Sequence, residues 1–129
     1  MARILCIALL VAATLAVAAE NSGWVSESGL FRVDFRSELD PIVINRIHSW
    51  VLHVEGEDGA PVSGATISVT GGMPAHNHGL PTAPRVTREI APGDYILDGL
   101  RFHMGGQWEL EITIDADGKQ DVVVILLEL

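Results

Sequence analysis

Gln107-Trp108-Glu109-Leu110-Glu111-Ile112-Thr113-Ile114-Asp115 is the stretch whose pattern decides the fold. Trp108, Leu110, Ile112 and Ile114 alternate with charged or polar residues, a period of two that puts the four apolar groups on one side of a half-buried strand. Gly105-Gly106 breaks the pattern before it and Asp117-Gly118 turns the chain after it. Beyond that turn, residues 122–127 read as a second strand. Working back toward the N-terminus, strands are expected over 95–102, 85–90, 65–70, 42–54 and 30–36. They are separated by turns at Pro92-Gly93-Asp94, Asp58-Gly59-Ala60-Pro61 and Glu38-Leu39-Asp40-Pro41. In the strand over 30–36, Phe31, Val33 and Phe35 alternate with Arg32, Asp34 and Arg36. In the strand over 42–54, His48 shares a face with Trp50, Leu52 and Val54, the inner one, and His53 points outward. Residues 20–29 read as a polar lead-in without regular structure. Seven strands with turns about every ten residues and no helical periodicity predict an all-β chain, an antiparallel β-sandwich. Trp50 and Trp108 are its expected central anchors.

The first nineteen of the 129 residues read as an address. Arg3 precedes an almost unbroken apolar run over 4–17, and Ala16-Val17-Ala18 offers the small-x-small pattern of a cleavage site. The run falls short of the roughly 20 residues that span a bilayer, so a cleavable signal peptide over 1–19 and a domain over 20–129 are expected, with no membrane span after cleavage. The protein is then periplasmic or secreted. Cys6, the single cysteine, leaves with the leader, which excludes a disulfide or thiolate site in the domain. Losing Arg3 as well leaves seven basic residues against 17 acidic, a formal charge of −10. A chain so acidic has no basic patch to displace counterions from phosphates, so nucleic acid is not an expected partner.

Between two strands lies Gly71-Gly72-Met73-Pro74-Ala75-His76-Asn77-His78-Gly79-Leu80-Pro81. Gly, Pro and Asn make it a loop, and into it the chain puts one thioether and two imidazoles. If 76–78 is extended, both imidazoles project to the same side, with Cα atoms about 6.5 Å apart. Met104, immediately before the Gly105-Gly106 break, and His48 could add donors. His103 is weaker, because alternation sets it opposite Phe102 and Met104. Thioether sulfur selects soft Cu(I), and imidazole suits copper or zinc. The candidate metal ligands are therefore Met73, His76, His78, Met104 and His48, with copper, Cu(I) favoured, as the ion. Catalysis is not expected: no nucleophile-elbow motif or Gly-rich phosphate loop leading into a helix is present, and the carboxylates fall in turns and on outward strand positions.

Three further stretches accompany the loop: Pro41-Ile42…Asn45…His48-Ser49-Trp50, then Asp58-Gly59-Ala60-Pro61-Val62-Ser63-Gly64-Ala65, and Arg101-Phe102…Met104…Gly106…Trp108-Glu109-Leu110. Together with Gly72-Met73-Pro74-Ala75-His76-Asn77-His78-Gly79 they resemble the YtkA-like family of exported bacterial domains, related to FixH-like domains. The resemblance implies an immunoglobulin-like β-sandwich in the periplasm or at the cell surface, sometimes associated with copper or cytochrome oxidase assembly. Its motif positions here are His48, Met73, His76, His78 and Met104. Two functions follow as expectations. One is an exported copper-binding carrier or assembly factor with an envelope or membrane protein as partner, and the other is a metal-free interaction module of the envelope.

Overall fold

The computed structural model describes residues 23–129, and the leader expected over 1–19 lies outside the described residues. Each of the seven expected strands is present, some with shifted ends. The five-stranded sheet runs in the order β1 (Trp24–Val25), β2 (Phe31–Ser37), β3 (His48–Gly56), β7 (Asp94–Leu100), β6 (Arg85–Ala91). The four-stranded sheet runs β5 (His78–Gly79), β4 (Thr66–Met73), β8 (Gln107–Ala116), β9 (Lys119–Glu128). Every pairing is antiparallel. The chain crosses between sheets after β3, after β5 and after β7, which makes the structure a sandwich and not a meander.

The inner faces are those the period of two assigns. Trp108, Leu110, Ile112 and Ile114 of β8 are fully buried and face Trp50, Leu52, Val54 and Leu97 of the other sheet in one core. Burying each such side chain contributes roughly 1.5–3 kcal/mol, which is what holds two sheets together without a disulfide. Tyr95 adds a polar tie: its hydroxyl donates to the Val62 carbonyl at 2.7 Å and accepts from the Ala65 N–H at 2.9 Å, fixing the chain between β3 and β4. Burial pushes the Tyr95 phenol up from its ordinary value.

Four stretches differ from the sequence reading. The lead-in contains β1, whose Trp24 pairs with Val33 and stacks its ring on Phe35 at 5.4 Å. The strand expected over 42–54 begins only at His48, because Pro41 lacks a ladder donor and Asn45 takes a left-handed φ of 63°. Asn45 instead donates its N–H to the Phe102 carbonyl at 2.7 Å. Strand β7 ends at Leu100 after Gly99 turns to φ 88°, so Phe102 and His103 stand outside any ladder. Finally, Gly71 and Gly72 belong to β4, and only then does the chain leave the strand. Gly72 permits this because a Cβ there would land on the His78 carbonyl oxygen of the returning strand.

Candidate functional site

The loop is built as a tight hairpin. Pro74 opens a 3-10 turn over Pro74–His76, Asn77 closes it in the left-handed region at φ 52°, and β5 returns with His78 opposite Met73. Proline suits the first position of such a turn, and asparagine tolerates the left-handed one. The extended run expected over 76–78 is thus replaced by a turn. It still sets the His76 and His78 rings 5.8 Å apart.

The Phe102–Met104 segment meets this hairpin at one end of the sandwich. His103 lies 4.9 Å from His78 between ring centroids, and Trp108 touches both, at 5.5 Å from His103 and 5.9 Å from His78. The indole N–H of Trp108 donates to the Met104 carbonyl at 3.0 Å, which pins the segment against β8. His103 is therefore part of the cluster, and the alternation that argued against it does not apply, because no strand runs through 101–103. The Gly-Gly break just after it was the available signal.

The tautomer of the neutral ring follows from the partners. Nδ1 of His78 faces the Gly79 carbonyl at 3.2 Å, so it carries the hydrogen, and Nε2 keeps a bare lone pair. That Nε2 is buried and has no hydrogen-bond partner, and the same holds for Nδ1 of His103. Buried imidazole nitrogens without partners cost free energy unless something else binds them. Beside His78, and not reaching His103, an open groove of about 430 Å³ is lined by Met73 and Asn77 and by the carboxylates Glu109 and Glu111. Its charge favours a cation over an anion.

The other expected ligands divide. Met73 is 1% exposed and packed in the core, paired with His78 across the hairpin. Met104 follows His103 directly and is 37% exposed. His48 is buried with both nitrogens engaged: Nδ1–H donates to the Arg46 carbonyl at 3.0 Å, and Nε2 accepts from the Trp50 indole at 3.1 Å. It has no lone pair to offer an ion. His53 lies on the outer face between Asp94 and Glu55, as alternation expects. Among the described residues no group of three or more His, Cys, Asp or Glu side chains is placed to hold a metal.

Fold and site together define a small antiparallel β-sandwich with three imidazoles clustered at one end, one thioether buried beneath the hairpin and one exposed beside His103. Residues 30–113 match the YtkA-like family, and the chain belongs to that family, which suggests an exported protein. A comparison with curated proteins gives no match. Among solved structures, the ZirS C-terminal Domain is similar with a TM-score of 0.45 and 16% identity, over 100% of this chain and 86% of that one. That likeness is too slight to carry function.

Proposed function

We propose that this protein is an exported, non-enzymatic copper carrier or assembly factor that holds Cu(I) at the rim. The observation that supports the reading is the pair of buried, partnerless nitrogens, His78 Nε2 and His103 Nδ1, on rings 4.9 Å apart. The further donors in this reading are the thioether of Met73, which pairs with His78 across the hairpin, and that of Met104, next in the chain to His103. Two imidazoles and a thioether suit Cu(I), which accepts few, soft ligands, better than zinc, which takes four. In this scheme the Gly79 carbonyl fixes the His78 tautomer and Trp108 keeps water from the ion's inner side. The half-exposed Met104 gives the ion a route to and from a partner in the envelope. Bound copper would supply no chemistry here beyond being carried.

The absence of a three-residue His, Cys, Asp or Glu group among the described residues favours a second reading, an envelope recognition module that binds no metal. An anaerobic titration of the purified protein with Cu(I), beside Cu(II) and Zn(II), separates the two. One equivalent of Cu(I) is expected to bind, and His78→Ala with His103→Ala to weaken binding roughly tenfold or more, about 1.4 kcal/mol. Absence of binding, or equal binding by the double variant, leaves the recognition module.

A further inference from the structure

The aromatic rings of the core form a continuous file from the histidine rim to the opposite edge of the five-stranded sheet. From Trp108 the file passes to Phe102 at 5.2 Å and Trp50 at 6.2 Å, then to Phe35 at 3.9 Å and Trp24 at 5.4 Å, by ring centroids. Every step is 6.2 Å or less, and the two rings at Phe35 and Trp50 are stacked within 9° of parallel. Three of the five are tryptophan, whose indole gives up an electron far more readily than a phenyl ring, with phenylalanines bridging the gaps. Trp108 lies fully buried against the imidazoles, and Trp24 is half-buried at the sheet edge.

Packing alone would explain a row of aromatics. What packing leaves open is which acceptor each buried indole N–H takes. Trp108 donates its N–H to a carbonyl, which cannot take a proton. Trp50, 1% exposed, donates its N–H to Nε2 of His48, a free imidazole base held in place by the Nδ1–H bond to Arg46. An oxidised indole becomes acidic at its N–H, and imidazole is the side chain that accepts protons near neutral pH.

We propose that Trp50 and His48 form a proton-coupled station in a tryptophan relay that drains oxidising equivalents from the rim to Trp24. The oxidant is a diffusible one-electron oxidant of the carbonate-radical class. It takes an electron from Trp108 and becomes carbonate. Trp50 refills Trp108 and passes its Nε1 proton to His48 Nε2, becoming a neutral indolyl radical beside an imidazolium. Trp24 then returns the electron to Trp50, the proton goes back from His48, and the Trp24 radical releases its own proton to water. A thiol in solution gives Trp24 a hydrogen atom, so the net change is carbonate radical plus thiol to bicarbonate plus thiyl radical. The relay spares the Met73 and Met104 sulfurs and the rim imidazoles from oxidation. It rests on ring geometry and does not require that the rim bind metal.

The test injects oxidant at the rim. Met104→Cys, combined with Cys6→Ser where the leader is retained, gives one thiol for a ruthenium tris-bipyridine label, which persulfate and light convert to ruthenium(III). Transient absorption is expected to show a neutral tryptophanyl radical whose formation slows in D2O, and peptide mass spectrometry is expected to find oxygen additions concentrated at Trp24. His48→Gln keeps a hydrogen-bond acceptor but no base. In a Trp24→Phe background, where the radical stays on the buried indoles, it should replace the neutral radical by the cation radical and abolish the solvent isotope effect. Trp50→Phe should move the damage to Trp108, His78 and His103. Trp24→Phe, at the half-buried edge, should do the same should the Trp50 variant fail to fold. A neutral-radical signal and isotope effect the same in Trp24→Phe with and without His48→Gln, or damage at Trp24 that persists without Trp50, overturns the proposal.

Discussion

His48 shows how far a single residue can be read before its neighbours are known. Alternation places it on the inner face, and it is 2% exposed. Its motif position makes it a metal candidate as well, yet which nitrogens are free depends on the Arg46 carbonyl and the Trp50 indole, which no spacing reveals. Replacing it by Leu leaves the buried Trp50 indole N–H without a partner, and is expected to cost about 1–3 kcal/mol in denaturant unfolding while Cu(I) affinity stays as it was. A stability unchanged within error would deny that those bonds matter. Met73 allows the complementary experiment. Met73→Leu conserves core volume and should cost less than about 1.5 kcal/mol, so a larger loss of Cu(I) affinity than of stability would identify the sulfur as a donor. At Gly72 a Cβ would meet the His78 carbonyl oxygen. Gly72→Ala should therefore loosen the hairpin, read as faster amide exchange at His78 and Gly79 than in the strands of the core.

Among the elements, those with sustained alternation were legible. Strand β8 matches its sequence pattern along its length, and β2, β6 and β9 lie where they are expected to within a few residues. The misses lie where a left-handed backbone conformation overrides the pattern. Asn45 stops β3 from starting early, Gly99 ends β7 before Phe102, and Asn77 bends the expected extended run into a turn. Strand β1 is two residues long and earns its place through the Trp24–Phe35 stack and its pairing with β2, which are long-range facts. The Tyr95 tie is another such fact. Tyr95→Phe strands the Val62 carbonyl and the Ala65 N–H and is expected to destabilise the protein by about 1–3 kcal/mol without disturbing the rim.

For the whole molecule, acidity and the two-sheet core set how stability depends on pH. Three carboxylates are held below their ordinary values by donors that tie separate segments together. The Ser26 hydroxyl and nearby backbone N–H groups hold Asp121, joining the β1–β2 turn to β9. The Ser49 and Thr87 hydroxyls hold Asp98, and the Gly64 and Gly93 N–H groups hold Glu89. A carboxylate with a depressed folded pKa stabilises the fold above its unfolded value, near 4, and that contribution is lost as pH falls through the folded one. The unfolding midpoint should accordingly drop below about pH 5, with Asp121→Asn flattening that limb; a midpoint independent of pH down to 2 would contradict this. Among the described residues no helix is long and apolar enough to cross a membrane. The meeting of the histidine hairpin with the Phe102–Met104 segment depends on three chain crossings between the sheets, so the sequence supplied the donors while only the fold shows which imidazoles face each other. Nitrogen-15 NMR of the imidazoles, before and after one equivalent of Cu(I) without oxygen, measures this most directly. The account predicts that His78 Nε2 and His103 Nδ1 shift together while both nitrogens of His48 stay in place; unmoved rim histidines, or a response at His48 or His53 instead, would contradict it.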